Sequence, residues 1–149
     1  APGFHGGNMD AADVRPGNKV FLPVSVPGAM FHIGDGHAAQ GDGEVCGVAT
    51  EIPTRGTFTF DLIKANPIGT PRIESNEFIM AVGSARPMED AARIAFYELI
   101  LWLEQDYGID RLTGYQLCSQ VARVRLANMV DILYSVVAKF PKKYLPLGD

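Results

Sequence analysis

Apolar and polar positions change their period along the chain. Residues 56–64 alternate at period two, with Phe58, Phe60 and Leu62 on one face and Thr57, Thr59 and Asp61 on the other, which predicts a strand. Residues 19–26 are rich in β-branched and aromatic side chains and predict another strand, with Pro23 arguing for an edge or a bulge. Shorter strands are expected over 29–33, 44–51 and 77–84. Between them lie turns at Arg15-Pro16-Gly17-Asn18 and Pro27-Gly28 and loops over 1–18, 34–43 and 66–71. The period then lengthens. Over 87–107 Ile94, Leu101 and the Ala91/Ala95 pair recur at helical spacing, Phe96, Leu99, Ile100 and Leu103 widen the apolar face, Pro87 suits the first helical position, Glu89 and Asp90 complement the N-terminal dipole, and Gly108 supplies a stop. Asp110 caps a second helix running to about residue 123. Residues 124–130 and 133–140 read as strands, the second being compatible with a helix as well. This order predicts an α+β fold, β-rich with sandwich or barrel-like sheets, and two helices in the C-terminal half.

The 149 residues suffice for a single domain over 1–149 with a real core. Apolar residues make up 47% and charged residues 20%, which excludes a disordered chain. The net charge of −4, with Lys142-Lys143 as the sole basic doublet, gives no footing for nucleic acid or an anionic membrane, and no apolar run reaches membrane-span length. Cys46 and Cys118 are expected to be buried free thiols in a reducing compartment, so a cytoplasmic location is expected. Ten of the 16 glycines fall in the first 47 residues, and the opening Ala1-Pro2-Gly3-Phe4 has neither a start Met nor an export signal. The chain reads as the interior of a longer protein: a fragment, a processed product or one subunit of a split enzyme.

The densest chemistry lies at Gly34-Asp35-Gly36-His37-Ala38-Ala39-Gln40-Gly41-Asp42-Gly43-Glu44. Glycines at 34, 36, 41 and 43 permit tight turns around four ligand-type side chains, Asp35, His37, Asp42 and Glu44. On extended backbone, residues two apart share a face, which would group Asp35 with His37, and Asp42 with Glu44 and Cys46. Mixed carboxylate and imidazole ligands suit a divalent metal, zinc first, with manganese or calcium as alternatives. A neighbouring carboxylate such as Glu44 can then handle the proton of an activated water. A solvated Asp- and Gly-rich surface turn accounts for the spacing equally well. No phosphate-cradling pattern accompanies the glycines. Cys46 would need a base or cation beside it to act as a nucleophile, and the sequence places none.

His5-Gly6-Gly7-Asn8-Met9-Asp10, then LPVSVPGAMFHIGDGHAAQGDGEVCGVATE over 22–51, then weaker matches at Gly83-Ser84-Ala85-Arg86-Pro87, along the 91–104 helix and at Val124-Arg125 with Asn128-Met129-Val130-Asp131, resemble the acetamidase/formamidase family. The resemblance implies hydrolysis of a short aliphatic amide such as formamide or acetamide to carboxylate and ammonia, by a β-rich, oligomeric, metal-bound enzyme. Carried over by position, Asp35, His37 and Asp10 are expected as metal ligands, Glu44 and Asp42 as catalytic groups with Glu44 the general base, and Asn8 and Gln40 as substrate-binding groups. Family members are longer and have a further β-rich lobe before Gly6-Gly7-Asn8. The chain is therefore expected to be a C-terminal lobe whose site is completed by the missing half or a second chain, and it is also expected to self-assemble. Two rivals stand beside this reading. One is thiol chemistry through Cys46, and the other is a non-catalytic metal-binding or subunit-partner lobe.

Overall fold

The computed structural model describes residues 1–146. Five strands form one antiparallel sheet: β1 (Lys19–Phe21), β2 (Arg72–Glu74), β3 (Phe78–Ala85), β4 (Arg123–Asn128) and β5 (Tyr134–Pro141), in the order β1-β2-β3-β5-β4. Between β3 and β4 the chain crosses one face of the sheet as α1 (Met88–Tyr107) and α2 (Arg111–Val121). The fold is α+β and sheet-rich with two helices, as the sequence predicts.

The helices begin and end for the expected reasons. Pro87 is the N-cap of α1 and not its first helical residue, so the helix starts one residue later than predicted, with Glu89 and Asp90 in the first turn and Gly108 as a left-handed C-cap. Asp110 caps α2 by accepting from the Leu112 and Thr113 N–H groups at 3.1 Å each. The buried face of α1 (Ala95, Leu99, Leu103, with Trp102) packs on Ile79, Ala81, Ala138 and Phe140 of β3 and β5. Burying a side chain such as Leu99 or Phe140 contributes about 1.5–3 kcal/mol. The approach is closest at Gly83. A Cβ there would lie 2.0 Å from the Ala91 carbonyl oxygen and 2.6 Å from the Ala95 nitrogen, so only glycine admits the helix. Arg72 and Glu98, each 3% exposed, make an ion pair of 2.7 Å between β2 and α1, with the Arg72 guanidinium over the Trp102 ring.

On the opposite face Ile73, Met80, Val82, Ala127 and Val137 are covered by the N-terminal loop through Met9 and Ala11. Both faces of the central strands are thus buried, and the loop that carries Asn8 and Asp10 is held against the sheet.

Four expectations do not hold. The strand at 19–26 stops at Phe21, the strands expected over 29–33 and 56–64 are irregular chain, and 44–51 is turn and loop that ends in a single antiparallel bridge at Glu51. Their apolar side chains are exposed, among them Phe31, Val45, Val48, Phe58, Phe60 and Leu62. Alternation marks a chain competent to pair, but a strand also requires an edge to pair with, and none of the described residues offers one to 53–64. Conversely, β2 was unforeseen, because three residues are too few to show a period.

Candidate active site

Residues 36–52 fold into a short hairpin whose two arms, 36–39 and 50–52, are joined through tight turns over 41–47. The Ala38 N–H donates to the Thr50 carbonyl (2.9 Å), Thr50 N–H to the Ala39 carbonyl (3.0 Å) and Ile52 N–H to the Gly36 carbonyl (3.4 Å). His37 and Glu51 are therefore a non-hydrogen-bonded antiparallel pair, the kind whose side chains approach closest. His37 Nε2 lies 3.1 Å from Glu51 Oε1, 3.2 Å from Asp35 Oδ1 and 3.9 Å from Glu44 Oε1. Nε2 is buried and, despite these distances, makes no hydrogen bond of acceptable geometry.

Gln40 explains how the ring is held. Its Nε2 donates to the Asp10 carbonyl and, at 3.3 Å, to the Ala127 carbonyl at the end of β4, while its Oε1 lies 3.0 Å from His37 Nδ1. Glu44 is 8% exposed and is set by two successive turns, Glu44 N–H to the Gly41 carbonyl and Gly47 N–H to the Glu44 carbonyl. Gly43 docks this turn on the sheet. Its N–H donates to the Leu126 carbonyl (2.8 Å) and its carbonyl accepts from Met129 N–H (3.0 Å), at φ 87°.

A second group adjoins the first. A bulge at the end of β4 places Asn128, fully buried, so that its Oδ1 accepts from the Val130 and Asp131 N–H groups. That leaves Asn128 Nδ2 to donate to Asp10 and, at 2.6 Å, to Asp131 Oδ2. Asn8 Nδ2 bridges the same two carboxylates, at 3.1 Å to Asp10 and 2.8 Å to Asp131.

The electrostatics reflect this crowding of acids. Burial pushes the Glu44 carboxyl above its ordinary value, and the Asp10 charge adds to this. Burial likewise raises Asp10, against the Asn128 hydrogen bond, with Asp131 and Asp35 adding to the rise. The Gln40 hydrogen bond raises His37, opposed by burial and helped by the Asp35 and Glu51 charges. Of the six non-glycine residues with positive φ among the described residues, three are acids of this site: Asp10 (45°), Asp35 (61°) and Glu44 (43°). Backbone held in that region costs about 1–3 kcal/mol per residue and persists only where the surroundings over-determine it.

The sequence-predicted residues thus divide. Asp35, His37, Asp10, Glu44, Asn8 and Gln40 converge. Asp42 does not: it is 58% exposed and turns away to an ion pair of 2.6 Å with Arg125 on β4. Cys46 is exposed rather than buried in a strand, with its thiol 3.4 Å from the Val48 carbonyl. The shared face expected for Asp42, Glu44 and Cys46 is absent because 41–47 is turn, where period two has no meaning. Glu51, Asn128 and Asp131 were given no role from sequence. All three stand within the segments that carry the family resemblance, but only the hairpin and the bulge bring them to His37 and Asp10.

Asp35, His37 and Glu51 offer ligand atoms within 4.8 Å of one another. The donor set of one imidazole and two carboxylates suits a divalent cation. The buried, unbonded His37 Nε2 is what such a cation would satisfy, so the residues fit the group.

The chain resembles known proteins over nearly all of its length. The model of the acetamidase/formamidase family matches residues 1–144. The chain is 38% identical to an acetamidase of Mycolicibacterium smegmatis over 96 residues, which are 55% of this chain and 23% of that protein. It is 44% identical to a formamidase of Methylophilus methylotrophus over 48 residues, 31% of this chain and 12% of the other. Among solved structures, an acetamidase from Yersinia enterocolitica superposes with a TM-score of 0.90 at 47% identity, covering 99% of this chain and 44% of that one. An acetamidase from Bacillus halodurans superposes with a TM-score of 0.81 at 26% identity, covering 97% and 49%. The chain spans less than half the length of these relatives. With the match running from residue 1 to residue 144, and with the site built from the segments that match, the chain belongs to the acetamidase/formamidase family.

Proposed function

We propose that this chain carries the metal-binding and proton-handling part of an enzyme that hydrolyses short aliphatic amides, such as formamide or acetamide, to carboxylate and ammonia. The observation that carries the metal part is His37 Nε2, buried and unbonded among the carboxylates of Asp35, Glu51 and Glu44. Asp35, His37 and Glu51 would hold the cation, zinc being the best match to the donor set, with manganese or calcium as alternatives. When bound, such a cation supplies Lewis acidity toward a carbonyl oxygen and lowers the pKa of water.

Glu44 would move the proton. Its carboxyl is sheltered, with burial raising it above its ordinary value, and a carboxylate in that position can accept a proton and return it. Water adds its oxygen to the amide carbon as Glu44 takes a proton. The C–N bond then breaks as Glu44 passes that proton to nitrogen, releasing ammonia and the carboxylic acid, whose remaining proton passes to ammonia to give carboxylate and ammonium. Asp10 and Asp131, bridged by the Asn8 and Asn128 amides, stand behind this group and hold the N-terminal loop in place. Asn8, at the exposed end of the bridge, is the amide placed to meet a substrate. Gln40 spends both ends of its carboxamide inside the protein. The test is Zn²⁺ titration by calorimetry with ammonia release from formamide and acetamide. No zinc binding would remove the metal, and turnover unchanged in Glu44→Gln would remove the base.

A second reading is favoured by the apolar side chains left exposed over 22–63, including Met30, Val45 and Phe60. On that reading the chain is a lobe that binds metal or a partner and is active only when another polypeptide of the family fold covers these residues. Ammonia release appearing only after addition of the N-terminal half of a family member would select it.

A further inference from the structure

Gln40 is anchored more tightly than a substrate-binding side chain needs to be. Its carboxamide nitrogen faces two carbonyl oxygens, those of Asp10 and Ala127, and must donate to both. Its oxygen is then the atom that faces His37 Nδ1, at 3.0 Å, and it can only accept. A neutral imidazole in this contact must carry its proton on Nδ1. Nε2 is left as a bare lone pair, and Nε2 is the atom directed at Asp35, Glu51 and Glu44. We infer that Gln40 is a positioning residue, which sets the tautomer and ring orientation of His37 so that Nε2 is presented as a ligand atom.

The inference rests on the metal reading above for its purpose but not for its chemistry. Among neutral side chains of this length, glutamine supplies an acceptor for the imidazole and two donors for the carbonyls at once. The two carbonyls belong to different parts of the fold, the N-terminal loop and the end of β4, so the ring is referenced to the sheet and not to its own loop. A group that fixes the far nitrogen of a ligand histidine is worth about 10–100-fold in metal affinity.

The test uses the whole chain, labelled with ¹⁵N-histidine. Its three histidines, His5, His32 and His37, are few enough to assign by single substitution. Metal-free protein is brought to the pH at which the His37 imidazole is neutral, and long-range ¹H–¹⁵N correlations report which nitrogen holds the proton. Wild type is expected to show Nδ1–H alone. Gln40→Met, which keeps the volume but loses both the acceptor and the donors, is expected to show a mixture and to bind Zn²⁺ about 10–100-fold more weakly. Gln40→Glu keeps the acceptor and loses the donors. It is expected to lower Tm while retaining the Nδ1–H tautomer and binding Zn²⁺ more tightly than Gln40→Met does. An unchanged tautomer in a folded Gln40→Met, or Gln40→Glu losing zinc as fully as Gln40→Met, overturns the inference. Wild type failing to bind zinc overturns the metal reading instead, and the tautomer measurement still decides the role of Gln40.

Discussion

His37 and Glu51 stand opposite each other in a two-stranded hairpin, with His37 Nε2 3.1 Å from Glu51 Oε1 and no hydrogen bond between them. Fourteen positions apart in sequence, they are brought together by three backbone hydrogen bonds between 36–39 and 50–52. Glu51 therefore belongs to the candidate site on the same footing as Asp35. Glu51→Gln is isosteric and keeps the hairpin, and it should weaken Zn²⁺ binding by roughly tenfold or more, since a charged ligand is lost. Calorimetry on the two proteins decides it, equal affinities removing Glu51 from the ligand set.

Glu44 is placed beside the candidate ligands Asp35, His37 and Glu51, not among them. Glu44→Gln should lower ammonia release by about 10²–10⁴-fold while leaving zinc affinity within a few-fold of wild type. Turnover and calorimetry on the same preparation separate a proton carrier from a ligand.

Gly43 holds the Glu44 turn against the sheet. A Cβ there would meet Leu126 Cδ2 at 3.0 Å and Met129 Sδ at 3.2 Å, on backbone at φ 87°. Gly43→Ala should destabilise the fold by about 1–3 kcal/mol. Thermal unfolding gives the answer, and an unchanged Tm would mean the turn relaxes freely.

The Arg72–Glu98 pair is buried on both sides, with side chains 4% exposed. Arg72→Met should cost about 3–5 kcal/mol, because it strands the Glu98 carboxylate inside the protein. Adding Glu98→Leu should recover much of the loss. Denaturant midpoints for the single and double variants test this, and a double variant as weak as the single would refute it.

Glu74 links acid to stability. Burial alone would push its carboxyl up, but the Lys142 ammonium at 2.5 Å, with Lys19 behind it, outweighs burial and holds it below its usual value of 4.5. A carboxyl depressed in the folded state contributes stability above its unfolded pKa and loses it as pH falls through the folded one. Wild type should therefore lose Tm below about pH 4.5 more steeply than Glu74→Gln, whose side chain does not titrate. Parallel acid limbs in the two Tm–pH curves would contradict this.

Both helices, the strands β3, β4 and β5 and most of the site were legible in the chain itself. Pro87, Glu89, Asp90, Gly108 and Asp110 are local signals, because capping depends on neighbours within a turn. Asp35, His37 and Glu44 stood out through the glycines around them. What misled was alternation without an edge, as at Phe58 and Phe60, and strand parity applied to a turn, as at Asp42 and Cys46. Neither the partner of an extended segment nor the turns within a polar loop are encoded in its period.

By itself the sequence determined the α+β class, the helix limits and the residue types available to the site, since each follows from short-range periodicity and backbone chemistry. Tertiary structure decided which side chains meet at the candidate site. It placed Glu51 opposite His37, closed Asn128 and Asp131 over Asp10 and sent Asp42 to Arg125. Those pairings span up to 118 residues and depend on which backbone groups find partners across the sheet, a matter settled only when the whole chain has folded.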